Sequence, residues 1–435
     1  MDAPEIARIL PLTATRDERG RLCVGGRDVV SLAEEFGMPL FVFDEEHFRA
    51  MARQYRKALP DGDVYYAGKA FLAKEICRIV EEEGLGLDVC TGGELACALA
   101  AGFPVERLAF HGNNKSEQEL RAALDAGVGR IIIDSFDELD RLAVLAGGRG
   151  RAQRVLLRVT PGVEAHTHEF VRTGQEDSKF GFSVASGAAL EAVRRALKID
   201  DLEVVGLHAH IGSQIFETRF FAEAAATLAG FCETVHDETE TLFSELNLGG
   251  GLGIAYTRED DPQPIEALGA ALHAPVRAVF AGLGLPCPRI AVEPGRTIVG
   301  GSMVTVYSAG TIKDLPGIRT YVSVDGGMSD NPRYILYGAR YEAVLANRSS
   351  EAFMRPYTIS GKHCESGDVV AKDAMLPDDL AVGDLIAIPA TGAYCYSMAS
   401  VYNKVPRPAV VAVRDGNARV IVRRETWEDL LRLEA

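Results

Sequence analysis

Several things are scarce in this sequence, and each scarcity closes off a class of function. No run of about 20 apolar residues occurs anywhere, so no membrane-spanning helix is expected. The first 20 residues mix Asp, Glu and Arg among the apolar ones and hold no uninterrupted apolar stretch, so neither export nor membrane insertion is predicted. Basic residues are outnumbered: 46 Lys and Arg face 62 Asp and Glu, a formal charge of -16. That balance repels phosphate backbones and anionic membranes at long range, which argues against nucleic acid or a membrane surface as partner. An anionic ligand must then be gripped locally by Arg, Lys and backbone amides, so basic residues inside motifs carry more information than usual. The eight cysteines include no CxxC pair and no zinc-like spacing, and a chain of 435 residues needs no disulfide staples. Reduced thiols in a cytoplasm fit best.

What is present is ordinary for a globular chain in composition and informative in order. The length suggests two or three domains. From about residue 40 to 300, short apolar runs at 64–67, 85–89, 108–111, 130–133, 155–159, 204–209, 245–248 and 289–292 alternate with amphipathic stretches at 74–83, 93–101, 116–126, 136–145, 187–197, 219–235 and 265–281. Eight strands with helices between them predict a (β/α)8 barrel of the TIM type. After about residue 300 the chain turns to Gly-punctuated runs of Val, Ile, Tyr and Thr at 304–307, 321–324, 385–389, 409–413 and 419–422, which predict a separate C-terminal β-domain, a Greek-key-like β-barrel. The first 40 or so residues also read as extended and are expected to join that domain. The resulting division is 1–43, 44–302 and 303–435.

Active sites of such barrels lie where strands end, so unusual residues there deserve weight. The first predicted strand runs into Tyr66-Ala67-Gly68-Lys69-Ala70, the sixth into His208-Ala209-His210-Ile211-Gly212-Ser213, the seventh into Gly249-Gly250-Gly251 and the eighth into Glu293-Pro294-Gly295-Arg296. Three glycines in a row let the backbone turn so that its N–H groups can all point at one anion, and with Arg296 in the neighbouring loop the natural guest is a phosphate. Taken alone, the glycines can equally be a tight turn. Lys69 among apolar neighbours would be partly desolvated, which frees its amine to attack a carbonyl, although an isolated Lys at a strand end is usually just solvated. A Schiff-base lysine, a phosphate cradle and a carboxylate such as Glu293, able to keep a pyridinium protonated, are together what pyridoxal phosphate requires.

His208 and His210 form an HxH pair and His166 and His168 another, so a metal-dependent barrel hydrolase has to be weighed, since imidazoles two apart on a strand share a face. Against it, no metal-binding Asp follows the eighth strand and Arg296 would disfavour a dication; no metal is expected, and His210 is better used stacked on a cofactor ring. In the β-domain, Cys364 lies between His363 and Glu365 near Asp368, where its pKa would tend upward and suit a proton donor better than a nucleophile. A single Cys is more often buried filler.

Taken together, YAGKA at 66–70, DVCTGGEL at 88–95, HGNNKS at 111–116, HAHIGSQ at 208–214, NLGGGLG at 247–253, EPGR at 293–296, VDGGMSD at 324–330, CESGD at 364–368, Gly392 to Tyr394 and Tyr402-Asn403 resemble the alanine-racemase-like class of pyridoxal-phosphate decarboxylases, and within it the diaminopimelate decarboxylases. The resemblance spans nearly the whole chain; EPGR and the triple glycine are shared with ornithine and arginine decarboxylases. It implies that Lys69 holds the cofactor covalently, Glu293 bonds its ring nitrogen and His210 stacks on the ring. Ser213, Gly250, Gly251, Gly295, Arg296 and Tyr394 would line the phosphate. Cys364 would protonate the substrate carbon from the partner subunit of a homodimer. Arg296, Arg333, Tyr337, Glu365 and Tyr394 would recognise the substrate. Glu365 and Arg333 favour meso-diaminopimelate over a simple diamino acid or carboxylated polyamine, with a non-catalytic regulatory homologue as the remaining alternative. Two positions depart from the family: Gly68, usually apolar, and Lys362-His363, usually Pro and an aliphatic residue, with His363 a candidate modulator of Cys364.

Overall fold

Strands buried on both faces want apolar side chains throughout, and the short Val, Ile, Leu and Tyr runs supply them. In the computed structural model, which describes residues 8–163 and 178–435, eight such runs form strands: Asp63–Ala67, Gly86–Val89, Leu108–Phe110, Arg130–Ile133, Gln153–Thr160, Leu202–His208, Glu245–Asn247 and Arg289–Val292. Each pairs in parallel with the next. The eighth pairs back on the first, Ala291 opposite Asp63 and Val292 opposite Val64, which closes the predicted barrel. One interior layer is filled by Tyr65, Ala109, Ile132, Leu156, Val205 and Ala291. The seven predicted helices all form. Their starts are chemically specified: Ser116 and Glu119 make a reciprocal capping box, and Thr91 and Ser135 each accept the backbone N–H three residues on.

The chain divides into two compact units, one of residues 51–253 and 262–296 holding the barrel, the other of residues 1–50, 254–261 and 297–435. In the second unit the N-terminal strand Leu40–Asp44 lies between Met303–Leu315, antiparallel, and Ala409–Arg414, parallel. Leu22, Val24, Leu32 and Val42 from the N-terminal segment share one core with Val304, Val306 and Val411. The first 40 residues are not wholly extended, however. Val29–Phe36 is a helix, because the Asp28 side chain caps it through Ser31 N–H and Val29, Leu32, Ala33 and Phe36 recur at helical spacing. Two-residue pieces such as Phe182–Ser183 and Val344–Leu345 went unread in the sequence, as did two long strands, Met354–Ser360 and Val369–Pro377. Pro356 and the Lys372-Asp373 pair break their alternation, and Asp373 takes φ +56° where the pairing register shifts nearby.

Candidate active site

The C-terminal ends of five barrel strands bring five polar side chains together. Glu293 follows the eighth strand and is 7% exposed. Its Oε1 receives Asn247 Nδ2 at 2.7 Å, from the end of the seventh strand, and faces His111 Nε2 at 2.8 Å, from just past the third. That second contact is an ion pair lying off the direction of the ring N–H, not a straight hydrogen bond. Oε2 meets His208 Nε2 at 3.1 Å, from the end of the sixth strand. Asp88, in the second strand, approaches the same His111 nitrogen at 3.7 Å. Burial alone would push the Glu293 carboxyl up, but the two imidazoles outweigh it and hold it well below the ordinary carboxylate range. His111 is opposed by burial yet raised by Asp88 and Glu293, whereas burial takes His208 down to about 4. The two histidines are therefore shifted in opposite directions.

Lys69 sits in the one-turn helix Gly68–Ala70 at the end of the first strand, and the row of its neighbours is exposed only at the lysine. The Ala67 N–H donates to Pro294 O at 3.0 Å, which ties the lysine turn to the Glu293 turn. A Cβ on Gly295 would come within 3.0 Å of both Ala67 and Ala70, so Gly295 permits that close approach. Gly68 has a local reason of the same kind: a Cβ there would lie 2.8 Å from Asp88 O.

The triple glycine is a close-packed turn. A Cβ on Gly250 would stand 2.1 Å from Glu293 O, and Gly251 takes φ +124°. The expectation that all three N–H groups point at an anion needs correction: Gly249 N–H donates to Asn247 Oδ1 at 3.0 Å and Gly250 N–H to His210 Nδ1 at 3.3 Å. The cationic side of this loop pair is Arg296, whose Nε and Nη2 both donate to Ser213 Oγ, at 3.1 and 3.0 Å. His210 is driven well below its usual pKa by burial and by the nearby charges of Lys69 and Arg158, so it presents a neutral ring. The HxH pair thus separates, His208 to Glu293 and His210 to the glycine turn. Among the described residues, His111, His208 and Glu293 are donors close enough to hold a metal, within 4.8 Å of one another. Both carboxylate oxygens are already engaged by the two rings. His166 and His168 lie outside the described residues.

The other expected site residues belong to the sheet-bearing unit. Cys364 and Glu365 are exposed in a loop that is anchored by Asp368, which accepts Met328 N–H at 2.7 Å, His363 N–H at 2.9 Å and meets His363 Nδ1 at 2.8 Å. A Cβ on Gly327 or Gly361 would strike this carboxylate, so VDGGMSD and CESGD meet at one buried anion. His363 also stacks on Tyr402, at 5.7 Å and 11°, and Cys364 N–H donates to Asn403 Oδ1 at 3.2 Å. The Lys362-His363 departure therefore builds the loop: its imidazole is spent on Asp368. Arg333 is 6% exposed, donates to Tyr341 Oη and lies over the Tyr256 ring at 4.5 Å. Tyr337 ends the same short helix, its hydroxyl 3.9 Å from Met398 Sδ, and Tyr394 is half-buried at φ +63°.

An amine at one strand end, a buried carboxylate held anionic on the adjacent strand, a neutral imidazole and an Arg–Ser pair beside a glycine turn are the donor set that pyridoxal phosphate needs. The residues fit the group. Sequence reasoning missed Asp88, His111 and Asn247, which stood in motifs without roles, and weighed His208 only as a metal ligand; the signal was that each ends or follows a barrel strand.

Comparison with known proteins agrees. Residues 45–300 match the pyridoxal binding domain of the pyridoxal-dependent decarboxylases, and residues 296–392 match their C-terminal sheet domain. The chain is 53% identical to diaminopimelate decarboxylase of Mycobacterium tuberculosis, over 98% of this chain and 97% of that one. It is 46% identical to that of Bacillus subtilis, over 97% of each. The diaminopimelate decarboxylase of M. jannaschii in co-complex with L-lysine superposes with a TM-score of 0.90 at 31% identity, covering 97% of this chain and 98% of that one. The chain belongs to the pyridoxal-dependent decarboxylases, in the diaminopimelate decarboxylase family.

Proposed function

We propose that this chain converts meso-diaminopimelate to L-lysine and carbon dioxide, with pyridoxal phosphate as cofactor, in a homodimer of the cytoplasm. The observation that carries the reading is the pairing of Lys69 with Glu293. The two lie at the ends of neighbouring strands whose turns are hydrogen-bonded, one offering an exposed amine and the other a buried anion. Kinship to enzymes of this name, at about half identity over nearly the full length, supports the substrate.

When bound, the cofactor supplies an electron sink for the pair left behind when a carboxylate departs as carbon dioxide. The chain's residues do the rest. Lys69 Nζ would hold the cofactor covalently and would yield its place to the amine of the substrate. Glu293 keeps a proton on the ring nitrogen, which an anion in a dry site does far better than one in water. His210 covers the ring as a neutral imidazole, while Arg296 and Ser213 bind the phosphate beside Gly250, Gly251, Gly295 and Tyr394. Cys364 of the partner subunit returns a proton to the carbon that lost its carboxylate. Arg333, Tyr337 and Glu365 read the far amino-acid end of the substrate, with Arg296 and Tyr394 on the near side.

Incubating the purified protein with pyridoxal phosphate and meso-diaminopimelate should release lysine and carbon dioxide in equal amounts. Absence of lysine, with turnover of L-lysine, L-ornithine or a carboxylated polyamine in its place, would reassign the substrate. Cofactor binding without turnover of any of them would make the chain a non-catalytic homologue.

A further inference from the structure

Glu293 is more elaborately held than a simple counter-ion needs to be. A carboxylate has about four acceptor positions. Oε1 accepts from Asn247 and is crowded on its other side by the His111 ring, an ion-pair contact at 2.8 Å, while Oε2 accepts from His208 alone, which leaves Oε2 the more open of the two oxygens. The three partners differ in kind. Asn247 is neutral by chemistry. His208 is buried with its Nδ1 unpartnered, as befits a neutral ring whose Nε2–H donates. Only His111 can bring a positive charge, and its Nε2 stands between two buried carboxylates, 2.8 Å from Glu293 and 3.7 Å from Asp88, with its ring 4.8 Å edge-on from that of His208.

We propose that His111 is a positioning residue for Glu293: wedged as a cation between Glu293 and Asp88, it keeps Glu293 anionic, while His208 and Asn247 fix the carboxylate plane and leave Oε2 to receive the ring N–H of the cofactor. Two carboxylates sharing a dry site cannot both stay ionised unless a cation separates them. Without the imidazolium, the buried cation that remains near Glu293, Arg158, is paired with Asp134 at 3.5 Å, so burial shifts Glu293 toward its protonated form, and a protonated Glu293 cannot hold another proton on the ring nitrogen. The closer approach to Glu293 than to Asp88 gives Glu293 the larger share of the charge. Four motifs thereby acquire one purpose, since DVCTGGEL, HGNNKS, HAHIGSQ and NLGGGLG each send one side chain to this acid or to the histidine behind it.

This inference rests on the cofactor and reaction proposed above, and its test separates the two. Wild-type enzyme reconstituted with pyridoxal phosphate labelled with nitrogen-15 in the ring is compared by NMR with His111→Gln and with Glu293→Gln, which marks the position of a ring nitrogen deprived of its acid. The His111→Gln signal should move from the wild-type position toward that of Glu293→Gln, and kcat should fall by about 10- to 100-fold with KM little changed, the loss typical when a group orienting a functional side chain is removed. A His111→Gln signal at the wild-type position overturns the proposal while leaving the enzyme assignment intact; a wild-type protein that binds no cofactor defeats the assignment itself. Neutron diffraction of the wild-type holoenzyme keeps the test open if the variant does not fold. Deuterium on both His111 nitrogens and none on Glu293 is expected. A neutral His111, or an equivalent of zinc found there by elemental analysis, would overturn it.

Discussion

Lys69 can be argued from its own surroundings. It is the exposed residue of a turn whose other members, Gly68 and Ala70, are buried, so the strand delivers an amine and little else into the barrel mouth. Lys69→Ala should abolish the visible absorbance of reconstituted enzyme, and an unchanged spectrum would remove the residue from that role. Cys364, exposed in a loop whose fold depends on Asp368 and not on the thiol, tolerates truncation structurally. Cys364→Ala should bind cofactor normally and form lysine at a small fraction of the wild-type rate; undiminished turnover would refute the donor assignment. A second thiol stands out for a different reason. Cys97 is lowered to about 7 by a hydrogen bond from Cys77, on the neighbouring helix, and Cys77 is raised by the same contact and by burial. Cys97 should therefore react with iodoacetamide near neutral pH, and Cys77→Ala should shift its alkylation profile to higher pH; an unshifted profile would show that the neighbour is irrelevant.

Between elements, the HGNNKS motif does more than serve the site. Lys115 is 2% exposed and spends all three of its protons, on Gly112 O at 2.7 Å, Ile132 O at 2.8 Å and Glu138 Oε1 at 2.6 Å. Glu138 in turn accepts Asp134 N–H, so one buried ion pair joins the loop after the third strand to the fourth strand and its helix. Removing one partner strands the other, and Lys115→Met should lower stability by about 3–5 kcal/mol in denaturant titration; a change within experimental error would mean that Glu138 simply takes up a proton. No such staple was legible in the sequence, where Lys115 looked like part of a family signature. The barrel was legible because its strands and helices each declare themselves through local periodicity. Lys69, Glu293, His210 and Arg296 were legible because strand ends can be read off that pattern. What could not be read was which motif reaches which acid. The contacts of Glu293 join residues 46 to 182 apart in sequence, from Asn247 to His111, and only closure of the sheet brings them together. Met354–Ser360 and Val369–Pro377 escaped for the opposite reason, since their pairing overrides a poor local pattern.

At the scale of the molecule, the acidic chain still depends on imidazoles kept neutral in each unit. His47, on the helix that follows the N-terminal strand, is 8% exposed, and its Nδ1 accepts Leu12 N–H at 3.1 Å. A proton on that nitrogen would both charge a buried ring and break the bond, and burial accordingly lowers its pKa to about 4. In the barrel, His208 is taken to about 4 by the same cause. Both unfolded rings titrate near 6.5, so between pH 6.5 and 4 the unfolded chain binds protons that the native one refuses. Stability contributed by each is present above pH 6.5 and lost as the pH falls through that window, by up to ~3 kcal/mol apiece when the shift is converted at 1.36 kcal/mol per pH unit. His47→Asn keeps an acceptor near the Nδ1 position and removes the titration. Urea unfolding at pH 6.5, 5.5 and 4.5 should then give a shallower loss for the variant than for the wild type, the residual slope being shared by the other buried imidazoles, His208 and His210 among them; parallel curves would mean that His47 is protonated in the native state after all.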